Sequence, residues 1–493
     1  MSSTSRLGLA AGILAFILII CLPLPYSMNV QAKFTAAVVV LMSIWWITAA
    51  IPVYITALVP LLLFPILNIL SPSETAANYG HNYAIMFLAI FFLAKAMETN
   101  NLHKRIALSI MSFFGTSRPR IILGMMVATA MVSMWIANVT TALMMLPIAT
   151  AVLAKNEQSD GADSFGPALM LGIAYSASIG GLCTLIGTPT NMIFVGIFTT
   201  LFPDAPAITF LNWLKIGVPI LIVFIPFIWY FIIRYFAVKG NLNSSDEVIH
   251  KELKLLGRMS YGEKSVLIIA CLTVACWVFK DNLVFGQTVI YGWTHWVGLE
   301  GQIHDSTIAM GSAILVFAWP SGKAGQLLTW KDASQVPWGV VLIVGGGYAM
   351  AHAFESTGLA DWLGGNMTFI QDYPFFIVLT IVVAFVLIFT EFNSNTASAN
   401  ILLPVLASTA VAAQVNPLLL MIPATVACSC AFMMPAATGP NTVVLASERL
   451  SIAQMAKCGL WLNLMAVALL TIILYFIIVP WLGIEMALPA WAV

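Results

Sequence analysis

Two short polar clusters interrupt long apolar stretches of the chain. Ala137-Asn138-Val139-Thr140-Thr141 sits in the middle of residues 121–153, and Asn393-Ser394-Asn395-Thr396 sits in the middle of residues 375–413. Amide and hydroxyl groups both donate and accept, so each cluster can hold an anion through N–H and O–H groups and a small hard cation through oxygens. Two further knots, Gly187-Thr188-Pro189-Thr190-Asn191 and Ala437-Thr438-Gly439-Pro440-Asn441, place Gly and Pro inside the apolar stretches 166–200 and 415–447. Pro removes an N–H and Gly loosens the backbone, so a helix is expected to unwind at each knot. Half-helix N-termini created there carry partial positive charge, which suits an anion. None of the four clusters contains Lys, Arg, His, Asp or Glu; Glu391 is the nearest ionisable residue. If the Asn138 and Asn395 tips converge on one chamber, the ligand has two similar anionic ends, and a dicarboxylate is the simplest such ligand.

The clusters are related by an internal repeat. Ala94-Lys-Ala-Met-Glu98-Thr-Asn-Asn-Leu102 aligns with Ala351-His-Ala-Phe-Glu355-Ser-Thr-Gly-Leu359, and Ala137-Asn138-Val139 aligns with Ser394-Asn395-Thr396, both at a spacing of 257 residues. Pro147 and Pro404 keep the same spacing, and the two Gly/Pro knots follow at 250.

The elements that carry these residues must be membrane helices. The chain has 493 residues, 61% of them hydrophobic and only 8% charged. Soluble domains carry about 25% charge, so a soluble or disordered chain is excluded. Equal numbers of basic and acidic residues leave no field for nucleic acid, and seven scattered cysteines form no disulfide framework or zinc motif. The first apolar stretch, Leu7–Pro25, is longer than the 7–15-residue core of a cleaved leader and reads as a helix. Further spans are expected near 34–51, 53–71, 83–100, 166–200, 212–234, 265–280, 306–320, 336–355, 415–447 and 459–482. Stretches 121–153 and 375–413 are too short for two crossings and long for one. A re-entrant hairpin suits each, since irregular backbone at membrane depth is tolerated where it lines a cavity.

Basic residues fix the sides. Lys104, Arg105, Arg118 and Arg120 form one loop cluster. Arg234, Lys239, Lys251, Lys254, Arg258 and Lys264 form another around the only long polar linker. With both loops cytoplasmic, the expected architecture is all-α and polytopic. It has eleven transmembrane helices and two re-entrant hairpins, with the N-terminus cytoplasmic and the C-terminus extracellular or periplasmic. Equivalent segments then enter the cell membrane from opposite faces, as in inverted-repeat transporters. The expected division is 1–120 scaffold helices, 121–240 transport elements, 241–264 linker, 265–374 scaffold helices and 375–493 transport elements.

These motifs resemble the divalent anion/sodium symporter family of di- and tricarboxylate carriers. Ser394-Asn395-Thr396 matches the family's repeated Ser-Asn-Thr motif, and Trp46-Ile-Thr-Ala-Ala-Ile-Pro52 is similar to its early Trp-Ile-Thr-Glu-Ala-Ile-Pro segment. The resemblance implies a homodimer of elevator carriers in the lipid bilayer, with no cofactor and with Na+ as the coupling ion. It implies a substrate pocket of Asn138, Thr140, Thr188, Pro189, Ser394, Asn395, Thr396, Thr438 and Gly439. It also implies two Na+ sites, Ser133, Asn138 and Gly187 in one, Thr390, Asn395 and Ala437 in the other. Ala137 and Val139 replace the hydroxyls of the first motif, which weakens the first Na+ site. Sodium-independent exchangers also exist in this family. Exchange of dicarboxylates (malate, succinate, fumarate or 2-oxoglutarate) is therefore favoured over Na+-coupled symport of a dicarboxylate or citrate.

Several residues read more simply. Lys95 and Glu98 are spaced for a local ion pair, and His352 and Glu355 for structural roles. Glu391 is divided between charge balance at the cation site and support of its hairpin. A membrane redox subunit would need paired histidine ligands, and the six histidines offer none. A channel would favour a continuous polar stripe over closed polar knots.

Overall fold

A computed structural model describes residues 3–156, 164–241, 245–285, 288–322, 325–365 and 373–492. In the first half, helix α1 (Ser3–Cys21) packs along α2 (Val30–Ile47). The expected single span over 53–71 is instead broken into α3 (Val53–Thr56) and α4 (Val59–Ile66). Pro60 lacks an N–H and is best tolerated in the first turn of a helix, so α4 begins afresh there. A capping box between Ser71 and Glu74 starts α5 (Pro72–Tyr79), which leads into α6 (Asn82–Thr99). Lys104 and Arg105 lie on a short helix, α7 (Leu102–Met111), rather than in a loop. It buries Leu102, Ala107, Leu108 and Met111 along one face.

The first hairpin follows as α8 (Arg118–Ser133) and α9 (Asn138–Asn156). The stretch 166–200 divides into α10 (Phe165–Cys183) and α11 (Pro189–Leu201), and α12 (Phe210–Tyr235) completes the half. Every residue of α10 is buried, as expected of a helix that is apolar all round. It packs against α8 and α12 through glycines. A methyl on Gly180 would collide with the Ala130 backbone, and one on Gly217 would collide with Cys183 O.

The linker holds a helix, α13 (Ser245–Leu256), packed on α7 and α9; residues 242–244 of the linker lie outside the described residues. Lys104 pairs with Glu252 at 2.9 Å and Arg105 with Glu263 at 2.6 Å. The second half runs α14 (Tyr261–Val278), a strand pair β1 (Leu283–Phe285) and β2 (Thr288–Ile290), α15 (Trp293–Trp296), α16 (Asp305–Ala318), α17 (Trp330–Ala333) and α18 (Trp338–Ser356). This antiparallel strand pair is a departure from an all-α chain. Then come α19 (Leu359–Gly365) and the second hairpin, α20 (Phe375–Glu391) with α21 (Asn395–Ala412). The stretch 415–447 divides into α22 (Leu418–Cys428) and α23 (Gly439–Leu445). The last long helix is α24 (Ile452–Ile473), extended by a π-helical turn and a short helical turn to Trp481.

Among the described residues, seven helical segments are long and apolar enough to cross a bilayer by themselves, and seven shorter apolar helices accompany them. The shorter set includes α9, α11, α20 and α22, the pieces cut by the polar clusters.

Candidate functional site

The tip of the first hairpin joins the end of α8 to the start of α9. Across it, the buried Ser133 hydroxyl lies 2.8 Å from Asn138 Oδ1 and 2.7 Å from the carbonyl oxygen of Ala177 on α10. One hydroxyl proton faces two acceptors, so three oxygens crowd together with a single hydrogen among them. The second hairpin repeats the arrangement. Thr390 Oγ1 lies 2.9 Å from Asn395 Oδ1 and 3.1 Å from the carbonyl oxygen of Cys428 on α22. The hairpin residues keep the 257-residue spacing at the level of atoms. An oxygen-only set of this kind fits a hard cation.

The two interrupted helices also match. α10 ends at Cys183, the chain turns through 184–187, and Thr188 (φ −140°, ψ 145°) sits extended before Pro189 and α11. α22 ends at Cys428, and Thr438 (φ −143°, ψ 144°) sits before Gly439 and α23. Thr188 and Thr438 are buried, while Asn138, Thr140, Ser394, Asn395 and Thr396 are half-buried. Gly187 packs against Gly181, where a methyl would collide with the Gly181 carbonyl oxygen.

Glu391, at the end of α20, is tied to the second break. It accepts hydrogen bonds from the backbone N–H groups of Phe432 (2.7 Å), Met433 (3.0 Å) and Met434 (2.9 Å) and from Asn463 Nδ2 (2.6 Å). These four donors fasten the break to the hairpin. The first half uses a single neutral bond in the same place, from Thr184 Oγ1 to Met134 O at 2.6 Å.

The halves meet at these clusters. Val139 packs on Gly439 so closely that a methyl on that glycine would strike its side chain. Thr190 and Ser429 share a buried hydroxyl–hydroxyl bond of 2.9 Å, and Tyr175 donates to Phe432 O at 2.9 Å. The sequence residues therefore assemble as two local pairs, Ser133 with Asn138 and Thr390 with Asn395. Ser394 and Thr396 hydroxyls lie 3.4 Å apart. Lys95 and Glu98 pair at 3.0 Å, and His352 faces Asn78 at 3.3 Å, both as local contacts.

The first oxygen cluster is built from Ser133, Asn138 and Ala177, and Ala137 and Val139 bring no side-chain oxygen to it. In the second tip, Ser394 Oγ accepts from Ala397 N at 3.3 Å and caps α21. The residue lost at 137 is therefore a helix cap. The oxygens of Ala177 and Cys428 were invisible in the sequence reading, because a carbonyl belongs to every residue. Asn191 and Asn441 of the paired knots are fully buried.

Two like halves and paired amide–hydroxyl tips set among apolar helices are features of an integral membrane protein. The chain belongs to the family described as the sodium:sulfate symporter transmembrane region, which matches residues 3–484. This agrees with the resemblance to divalent anion/sodium symporters. It is 38% identical over 495 residues to the sodium-dependent dicarboxylate transporter SdcS of Staphylococcus saprophyticus, covering 98% of this chain and 93% of that protein. It is 35% identical over 501 residues to SdcS of Staphylococcus aureus strain bovine RF122, covering 99% and 94%. Among solved structures, Neisseria gonorrhoeae MtrF, from a class of antimetabolite efflux pumps, shares the fold at a TM-score of 0.59 and 12% identity, over 93% of this chain and 97% of that one. The Alcanivorax borkumensis YdaH transporter shares it at 0.55 and 16%, over 82% and 87%.

Proposed function

We propose that this protein is a secondary transporter that carries C4 and C5 dicarboxylates, such as succinate, malate, fumarate and 2-oxoglutarate, across the cell membrane together with Na+. The paired oxygen clusters at Ser133/Asn138/Ala177 and Thr390/Asn395/Cys428 carry this reading. They are equivalent in the two halves, uncharged, and rich in acceptors that suit a cation. Asn138 and Asn395 give their Oδ1 atoms to these clusters, and each has an amide NH2 left that can meet one carboxylate. A dianion is costly to move through a low-dielectric layer, and co-bound cations offset that cost.

The sodium-dependent relatives favour symport over the exchange expected from the sequence. The reading includes eleven spans, re-entrant hairpins at 121–153 and 375–413, and an elevator movement of the hairpin and broken-helix elements against the remaining helices. A homodimer, a cytoplasmic N-terminus and a C-terminus outside belong to the same reading. Helix ends at both tips and at the start of α11 support it, since they leave backbone polar groups only where other elements cover them.

The test is uptake of labelled succinate into liposomes. An inward Na+ gradient drives accumulation into vesicles without internal substrate, and Asn395→Ala lowers that uptake at least a hundred-fold while the protein elutes normally from a sizing column. Uptake that needs internal dicarboxylate and ignores Na+ would return the reading to exchange. Normal uptake by Asn395→Ala would refute the site.

A further inference from the structure

Asn191 and Asn441 belong to the paired knots and have no part in the clusters above, yet they occupy equivalent places. Asn191 Nδ2 donates to Thr184 O at 2.7 Å and Leu182 O at 3.3 Å. Asn441 Nδ2 donates to Met434 O at 3.1 Å and Ala431 O at 3.2 Å. Thr184 and Met434 are themselves 250 residues apart, the spacing of the asparagines. The same carbonyls receive a second donor: Gly187 N lies 3.3 Å from Thr184 O, and Ala437 N lies 3.3 Å from Met434 O. Each break thus contains one tight turn, 184–187 or 434–437, closed by a backbone bond and sealed by an asparagine from the following helix. Both asparagines are fully buried, and both Oδ1 atoms lack a donor among the described residues. A buried amide that leaves its own oxygen unpaired is held there for its N–H groups.

We propose that Asn191 and Asn441 are positioning residues for the two coupling cations. This rests on the sodium-coupled reading above. An extended segment can turn its peptide planes freely, so the carbonyls near Gly187 and Ala437 have no fixed aim without a closed turn. The asparagine N–H groups satisfy the two inward carbonyls of each break and hold the rest of the turn against its hairpin. In the first half, the link is direct: Gly181 stands against both Gly187 and Asn138, and a methyl on it would strike Asn138 Oδ1. Neither asparagine is placed against the substrate.

Leucine matches asparagine in shape and has no donor, so Asn191→Leu and Asn441→Leu separate packing from hydrogen bonding. Succinate binding to the purified protein is titrated at rising NaCl, with choline chloride holding ionic strength constant. Each variant needs at least ten-fold more Na+ for half-maximal succinate binding. At saturating Na+, succinate affinity stays within two-fold of the unmodified protein. A folded variant pair with unchanged Na+ requirement overturns the assignment. An unmodified protein that binds succinate equally without Na+ overturns the sodium-coupled reading and the assignment together. A second measurement needs no variant. Na+ alone, and not K+, slows amide hydrogen exchange across 184–188 and 429–438; no Na+-specific slowing in either segment also overturns the assignment.

Discussion

Ser394 and Ala137 occupy equivalent places at the two tips and differ by one hydroxyl. Ser394 spends its oxygen on Ala397 N at the start of α21, so its hydroxyl serves the helix before it serves any ligand. Ala137 leaves α9 without that cap. Replacing alanine by serine at an N-cap gains about 1 kcal/mol. Ala137→Ser is therefore expected to raise the thermal unfolding midpoint in detergent while leaving the Na+ dependence of succinate binding unchanged. A lowered Na+ requirement would instead show that position 137 reaches the oxygen cluster. Val139 makes the complementary point: its methyls fill the space over Gly439, so the first tip is apolar where the second carries Ser394 and Thr396.

Among the elements, α10 is the least tolerant. Its buried surface meets α8 at Gly180 with no room for a side chain, and the obstacle is Ala130 backbone rather than a mobile side chain. Gly180→Leu forces α8 and α10 apart and with them Ser133 from Ala177. Overpacking of this kind costs about 1–3 kcal/mol or more. The expected result is a protein with a lowered unfolding midpoint and a Na+ dependence shifted to higher concentration; a variant matching the parent in both would mean the helices separate without consequence.

Much of this layer could be read from the chain. The interruptions at Gly187-Thr188-Pro189 and Thr438-Gly439-Pro440 were marked by residues that break helices anywhere, and the hairpin tips by polar residues centred in apolar runs. The segment 53–71 misled because its apolar continuity outweighed its prolines. α7 and α13 were hidden because basic residues suggest a loop, although Leu102, Ala107, Leu108 and Met111 already follow a helical period. The site was half legible: side-chain oxygens announce themselves, whereas Ala177 O and Cys428 O depend on how helices are placed.

For the whole molecule, α18 is the seam. Tyr348 OH donates to Met192 O of α11 at 2.7 Å, and Asn400 Nδ2 of α21 donates to Ile343 O at 3.2 Å. Gly346 and Gly347 bring α18 against Ala57 and Asn400 with no space for a methyl. In the proposed elevator movement, α11 and α21 travel past α18, so both bonds break on each passage. Tyr348→Phe removes one of them, a change of about 1 kcal/mol, or roughly five-fold in the balance between two states. Spin labels on α11 and α18 should show the ratio of short to long distance falling by that factor. An unchanged distribution would mean that these helices do not slide past each other.

The bond between Thr190 and Ser429 bears on ancestry. Its mirror image would join Ser178, which follows Ala177 as Ser429 follows Cys428, to residue 440, and residue 440 is Pro, which has no hydroxyl; Ser178 Oγ has no partner among the described residues. Two copies of the first half, paired head to tail, would offer Thr190 to Ser178 twice over. Two copies of the second half would offer only proline to Ser429. A gene for the second half alone could therefore no longer regenerate this bond, whereas one for the first half would make it twice. The fused chain has diverged past the point at which its halves are interchangeable.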